Sequence, residues 1–253
     1  MQILPFDNRD GFIWLNGKFI KWSDANIHVL NHGLHYASCV FEGLRIYDGR
    51  IFKLNEHIER LFDSAKILDL DIPFSYQDVI EITKEIIVKQ NVSNGYIRPV
   101  VWRGSEMMAI SAKKGSTNLA IAAWEWPSYF SPEKLLEGIK LDVSRWLRPS
   151  PESAPTDSKA AGLYMICSLS KHEAEKLGFD DALMLDYRGY VAEATGANIF
   201  FVKENELFTP KPDCFLNGIT RQTIIEIAKE NKIKVYEKHF KLDFLKNCDE
   251  VFL

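Results

Sequence analysis

Residues 155–164 read Pro155-Thr-Asp-Ser-Lys-Ala-Ala-Gly-Leu-Tyr164, a lysine among small residues where a loop gives way to a helix. On the N-terminal side lies a polar, proline-rich stretch, Arg148-Pro-Ser-Pro-Glu-Ser-Ala-Pro-Thr-Asp-Ser158, preceded by a strand expected near residues 139–144. On the C-terminal side the pattern predicts a helix over about 163–177, then strand-like segments at 181–186, 189–193 and 197–202. Asn217-Gly218 breaks the chain before another helix at 220–230, whose apolar face carries Ile224, Ile227 and Ala228. Further upstream, the aromatic and proline-rich run around 127–135 reads as a linker. Before it, an Asn16-Gly17 turn suggests a hairpin. Leu54, Ile58, Leu61, Phe62, Ala65 and Leu68 mark one face of an amphipathic helix. A second helix is expected at 76–89, followed by strands at 96–102 and 119–124. Strands and helices do not alternate strictly, which argues against a doubly wound parallel sheet. The expectation is a mixed α/β (α+β) protein of two domains, residues 1–130 and 131–253, with a cleft between them.

Composition narrows the class. The 253 residues are 46% hydrophobic and 26% charged, with a formal net charge of −4, the balance of a soluble globular chain. No global field draws it to nucleic acid or an acidic membrane, so an anion site has to be built locally. Cys39, Cys167, Cys214 and Cys248 are widely spaced, without a CxxC pair, which favours a reducing compartment over a disulfide framework or a zinc ribbon. The N-terminus lacks the basic and apolar segments of a signal peptide, and no apolar run approaches membrane-spanning length. A cytoplasmic protein is the expectation. His28, His32, His35 and Cys39 offer metal-ligand types, but their spacing matches no standard zinc motif, and no metal is expected.

Nucleophile-elbow, Walker and GxGxxG signatures are missing, so the chemistry has to come from dispersed residues. Lys159, flanked by small residues, is open to a flat ligand; in a partly dry site its amine can form a Schiff base. Residue type alone does not separate it from a solvated surface lysine. Leu216-Asn-Gly-Ile-Thr-Arg221 opens an apolar helix. The amides of Gly218, Ile219 and Thr220, with the Thr hydroxyl and the helix dipole, suit a phosphate, though an ordinary capped helix start reads the same way. Arg60, on the helix beginning near Leu54, can add a fixed charge. Glu193 leaves a β segment among small residues, where a carboxylate needs a partner such as a protonated ring nitrogen, unless the turn is solvated.

At these residues the sequence resembles the class IV (fold type IV) pyridoxal-phosphate aminotransferases, and within them the branched-chain amino acid aminotransferases. The resemblance runs from about Ile13 to the last residue. Its blocks are His35-Tyr-Ala-Ser-Cys-Val-Phe-Glu-Gly-Leu-Arg45, Glu56-His-Ile-Glu-Arg-Leu-Phe-Asp-Ser-Ala-Lys66, Tyr96-Ile-Arg-Pro99, the Lys159 and Glu193 segments, and Gly218-Ile-Thr-Arg221. The resemblance implies pyridoxal 5'-phosphate as cofactor. Lys159 would form the Schiff base and shuttle the proton, Tyr164 would meet the ring hydroxyl, and Glu193 the pyridine nitrogen. Arg60, Gly218, Ile219 and Thr220 would surround the phosphate. Tyr36, Phe41, Trp126 and Tyr164 would line an aromatic pocket for an aliphatic side chain. Arg98, beside Tyr96, with Tyr36 and with Tyr129 from a second subunit, would take the distal carboxylate of glutamate.

The implied reaction is ping-pong, with leucine, isoleucine or valine giving its amino group to 2-oxoglutarate in a homodimer or higher oligomer. D-amino acid aminotransferases and aminodeoxychorismate lyases share the fold, and Phe41-Glu-Gly-Leu-Arg45 with Tyr96-Ile-Arg-Pro99 favours the branched-chain group. A non-catalytic relative is the reading from another class, against which the Lys159, Tyr164 and Glu193 set speaks. Family members continue beyond Asp249-Glu-Val-Phe-Leu253 into a Thr-Gly-Thr-Ala-Ala loop that contacts phosphate and α-carboxylate. A chain that truly ended there is expected to bind substrate poorly and its cofactor less tightly.

Overall fold

Asn16, at φ 46°, and the glycine after it turn β1 (Phe12–Leu15) back onto β2 (Lys18–Lys21), as the Asn-Gly pair predicts. The computed structural model describes residues 5–126 and 132–253. Tyr129 and most of the segment read as a linker therefore lie outside the described residues. The chain forms two compact units, Met1–Tyr129 with Ser158–Gly162, and Phe130–Asp157 with Leu163–Leu253.

In the first unit the short helix α1 (His32–Tyr36) leads into β3 (Cys39–Phe41), β4 (Leu44–Tyr47) and β5 (Arg50–Ile51). Helices α2 (Leu54–Ile67) and α3 (Tyr76–Lys89) follow, then the long strands β6 (Gly95–Arg103) and β7 (Thr117–Glu125). The strands form an antiparallel sheet in the order β2-β1-β7-β6-β4-β5, with β3 also paired to β6. Alternation along β6 decides which chemistry goes to which face. Ile97 and Val101 are buried in the core with Ile58, Leu61 and Ala65 of α2 and Val79 and Ile86 of α3. Tyr96 belongs instead to an aromatic cluster with Trp22 and Trp124, against which Trp126 packs. Arg98, two residues on, shares the face of Tyr96. Helix α3 begins where Ser75 and Asp78 form a reciprocal capping box.

The second unit runs through α4 (Pro132–Glu137), β8 (Leu141–Val143), α5 (Tyr164–Lys176), β9 (Asp181–Leu185) and β10 (Val191–Ala194). It continues with β11 (Phe200–Lys203), β12 (Glu206–Pro210), α6 (Ile219–Glu230), β13 (Val235–Lys238), α7 (Leu242–Leu245) and β14 (Glu250–Phe252). Strands β10-β9-β8 form one sheet and β13-β12-β11-β14 another, with parallel pairing at β8–β9 and β12–β13. The adjacent Phe200 and Phe201 show the two-residue period. Phe200 packs with Ile225 and Ala228 of α6, while Phe201 packs with Leu183, Val191 and Phe240. Apolar burial of this kind contributes about 1.5–3 kcal/mol per large side chain.

Two expectations shift. The strand expected at 197–202 starts only at Phe200, because Ala194 N–H closes a turn on the Ala197 carbonyl and Asn198 bridges back to Glu193. The lysine segment, expected with the C-terminal half, belongs to the first unit. Ser158 Oγ donates to the Ser64 carbonyl at 3.1 Å, and Lys159 N–H donates to Ser64 Oγ at 3.0 Å. Phe41 N–H donates to the Lys159 carbonyl at 3.2 Å, and Val40 bridges to Ala160. Backbone pairing with a strand outweighs position in the chain.

Candidate active site

In the first unit the site grows from one face of α2. His57, Arg60 and Ser64 are spaced i, i+3 and i+7, so they stand in one row along the helix. Ser64 anchors the Lys159 segment as described. His57 and Arg60 converge on Glu42, in the turn between β3 and β4. Arg60 Nε donates to Glu42 Oε1 at 2.6 Å and Nη2 donates to Oε2 at 2.9 Å. His57 Nδ1 lies 2.7 Å from Oε2, and Gly43 N–H donates to the same oxygen at 3.2 Å. Position 43 has to be glycine, because a Cβ there would stand 1.8 Å from Tyr96 Oη.

The carboxylate of Glu42 is fully buried. Burial works to raise its pKa, but hydrogen bonds from His57 and Arg60 and the charges of Arg60 and Lys159 win, holding it at about 2 against an ordinary 4.5. Because the folded value is the lower one, the ionised carboxylate adds stability in full above about pH 4.5, lost as the pH falls towards 2. That is about 3 kcal/mol at the conventional conversion. Denaturant titrations of the wild-type chain are expected to show this acid-side fall, and those of Glu42→Gln to lack it. Parallel curves for the two proteins would refute the assignment.

Lys159 has its backbone held on both sides, and its Nζ lies 5.1 Å from the centre of the Phe41 ring. The Arg98 guanidinium carbon lies 4.5 Å from the same ring, and Nη2 donates to Tyr96 Oη at 3.1 Å. Phe41, Tyr96, Arg98 and Lys159 are thus brought together. Arg98 Nε is buried with no hydrogen-bond partner among the described residues, a donor able to take an anion. The Trp126 ring packs at a tilt, 5.4 Å from Tyr96 and 5.6 Å from Trp124, so it forms part of the aromatic wall beside Tyr96. Tyr36 stands apart from that wall: 43% exposed at the end of α1, it stacks on His32 and directs its hydroxyl to the Met108 carbonyl at 3.4 Å. Tyr129 lies outside the described residues.

The second unit carries the remaining expected residues. Glu193 sits on β10 at an irregularity of the β9–β10 register. Arg148, 4% exposed at its side chain, places Nε 3.3 Å from Glu193 Oε1. Arg148 Nη1 meets the Leu163 carbonyl and Cys167 Sγ, both at 3.4 Å, just before and within α5, which Tyr164 opens. Asn198 Nδ2 donates to Glu193 Oε2 at 3.2 Å and to the Leu216 carbonyl at 3.1 Å, while its Oδ1 accepts from Gly218 N–H at 3.2 Å. One amide thus ties Glu193 to the start of α6.

A Cβ at Gly218 would stand 2.1 Å from Asn198 Oδ1, so this tie requires glycine. No side chain caps α6, whose first i→i−4 bond is Gln222 N–H to the Gly218 carbonyl. The amides of Ile219 and Thr220 precede it, at the positive end of the helix dipole. Arg221, 1% exposed, turns away to Glu237, Asn217, Thr209 and the Pro210 carbonyl, pinning α6 to β12 and β13. Its role is structural.

Asp186, Asp213 and Cys214 also converge. Arg188 bridges both carboxylates at 2.7 Å, and His239 Nε2 lies 2.8 Å from Asp213 Oδ2. In the histidine-rich stretch, His32 bonds Ser38 and the Ala109 carbonyl, and His35 the Val29 carbonyl.

Glu42, His57, Ser64, Arg148 and Asn198 do not stand out in the sequence as site residues. The spacing of His57, Arg60 and Ser64 on an otherwise apolar helix face is an available signal. Arg148 and Asn198 leave none, being ordinary polar residues of loops.

The first unit thus holds a lysine by strand pairing beside an aromatic ring, and the second holds an arginine-backed carboxylate near an uncapped helix start. Comparison with known proteins gives the class. The profile of the amino-transferase class IV family matches residues 39–253, and the chain belongs to that family. It is 48% identical over 253 residues, 100% of this chain and 86% of the relative, to a probable branched-chain-amino-acid aminotransferase of Rickettsia felis. The crystal structure of the Escherichia coli branched-chain amino acid aminotransferase superposes with TM-score 0.93 at 40% identity, covering 96% of this chain and 82% of that one. An aminotransferase from Brucella abortus, solved bound to the cofactor PLP, gives TM-score 0.85 at 30% identity, covering 96% of this chain and 86% of that one. The mixed α/β fold is that of the fold type IV aminotransferases.

Proposed function

We propose that the chain is a pyridoxal-phosphate-dependent branched-chain amino acid aminotransferase, moving the amino group of leucine, isoleucine or valine to 2-oxoglutarate in two alternating half-reactions. The observation that carries the reading is the pinned Lys159 segment beside Phe41 and Arg98, supported by the names of the relatives. The residues present fit the cofactor. Glu193, flanked by Arg148 and Asn198, suits a protonated ring nitrogen, and the uncapped start of α6 suits a phosphate.

When bound, the cofactor supplies the electron sink that takes up the electron pair left on the substrate Cα as its proton departs. Lys159 would hold it covalently and move that proton to and from Cα. Tyr164 would orient the ring hydroxyl and Glu193 the ring nitrogen. Arg60, Gly218, Ile219 and Thr220 would hold the phosphate. Phe41, Tyr96 and Trp126, with Tyr36, would offer apolar surface to the aliphatic side chain. Arg98 would pair with the glutamate distal carboxylate at the rim of that surface, leaving the apolar space itself to leucine.

The same reading places the protein in the cytoplasm as a homodimer, Tyr129 of the partner subunit completing the carboxylate site. Ile27, Val29, Leu30 and Leu34, with Met107, Met108 and Ile110, are exposed apolar residues of the first unit, as expected of a surface covered by a second copy. The four cysteines form no disulfide, and no described helix is long and apolar enough to cross a membrane.

Visible absorption of the full chain with pyridoxal phosphate tests the reaction. L-leucine is expected to bleach the long-wavelength cofactor band and 2-oxoglutarate to restore it. A band that responds to D-alanine and ignores L-leucine would overturn the substrate assignment.

A further inference from the structure

Glu42 is a fully buried carboxylate that stands behind Arg60. Ionised Glu42 is favoured over its protonated form, but compared with an apolar pair of the same volume a buried ion pair adds little stability, so the arrangement calls for another explanation. The fork of Nε and Nη2 on the two carboxylate oxygens fixes both the plane and the rotation of the guanidinium. Glu42 is itself immobile. His57 and Gly43 occupy Oε2, and the Glu42 N–H donates to the Pro99 carbonyl at 2.9 Å. The Arg60 side chain remains 18% exposed, and the fork to Glu42 uses Nε and Nη2, which leaves Nη1 outside it.

We propose that Glu42 is a positioning residue for the cofactor phosphate, holding the inner edge of Arg60 so that Nη1 is aimed at the phosphate oxygens. This deepens the reading above and rests on it, since it takes Arg60 as a phosphate ligand. A guanidinium without that anchor samples many rotamers, and part of the binding free energy goes into ordering it. Lys159 lies close enough for its charge to act on Glu42, so the same carboxylate also offsets the positive charge gathered around the amine. The stripe His57, Arg60, Ser64 then has one purpose along its length: Ser64 sets the lysine backbone, and His57 with Glu42 sets the arginine.

The experiment compares equilibrium binding of pyridoxal phosphate and of pyridoxal, which lacks the phosphate, to the cofactor-depleted full chain. Wild type, Glu42→Gln, Arg60→Ala and the double variant are measured. Glu42→Gln is expected to weaken pyridoxal phosphate by about 10–100-fold, the range typical of groups that orient a ligand-binding side chain, and to leave pyridoxal unchanged. Added to Arg60→Ala, it is expected to cost nothing further. Equal losses for both ligands, or additive losses in the double variant, would overturn the proposal by assigning Glu42 to general stability. Wild-type protein that binds no pyridoxal phosphate would instead overturn the cofactor reading itself. Should Glu42→Gln fail to fold, Glu42→Asp keeps the charge but shortens the fork, with the same phosphate-specific loss expected. Failure of both to fold would count against the proposal.

Discussion

Lys159→Ala is expected to abolish transamination, lowering turnover by at least about 10⁴-fold, the upper end of what one acid–base group contributes. Under the proposed role of Lys159, the covalent hold on the cofactor would go with it. The backbone at 158–160 is tied to Ser64, Phe41 and Val40, so the lost amine cannot be replaced by a shift of the segment. Those ties use main-chain and serine atoms, so the variant is expected to fold normally. The measurement is a single half-reaction, L-leucine added to the pyridoxal-phosphate-loaded variant and followed in the visible. A slow reaction rescued by added methylamine would agree with a missing proton carrier. Normal turnover would remove Lys159 from the mechanism.

Glu193→Gln carries the second large effect. The amide has the shape of the carboxylate without its charge, so it cannot keep a ring nitrogen protonated. Turnover is expected to drop on the order of 10²–10³-fold, as when one preorganised electrostatic partner is removed from an active site. A second consequence separates this from a plain loss of contact. Arg148 is 4% exposed at its side chain and would lose its anionic partner, and breaking a buried pair from one side typically destabilises by about 3–5 kcal/mol. Denaturant unfolding is therefore expected to shift together with turnover in Glu193→Gln, and to recover in Glu193→Asp if the charge is what matters. Unaltered turnover in Glu193→Gln would remove the carboxylate from the cofactor site.

The elements legible in the sequence are the ones with a clean period or a strong turn. Residues 76–89 read as a helix and form α3, and Asn16-Gly17 marks the first hairpin. The short strands β3, β4 and β5 do not show in the sequence. Strands of two to four residues carry too few positions to show an alternation. Strands β13 and β14 escape for a related reason, since their pairing joins segments far apart in the chain, while β12 folds back on β11 through Glu204-Asn205, a turn without the usual glycine. Among the residues proposed for the site, Lys159 and Glu193 stand out through their small neighbours, and Ile219 and Thr220 through the glycine before an apolar helix.

What the sequence by itself determined is the set of candidate groups: a lysine, a carboxylate and a glycine-led helix start in recognisable local settings, together with the family they resemble. Only the tertiary structure decided what holds those groups. Lys159 belongs to the unit of α2 because its backbone pairs with β3 and Ser64, although the chain places it beyond residue 131. Glu42 meets Arg60 across 18 residues, and Arg148 meets Glu193 across a sheet. Buried charges have to find partners, and folding supplies them from wherever the backbone brings a matching group, a condition that local pattern does not encode.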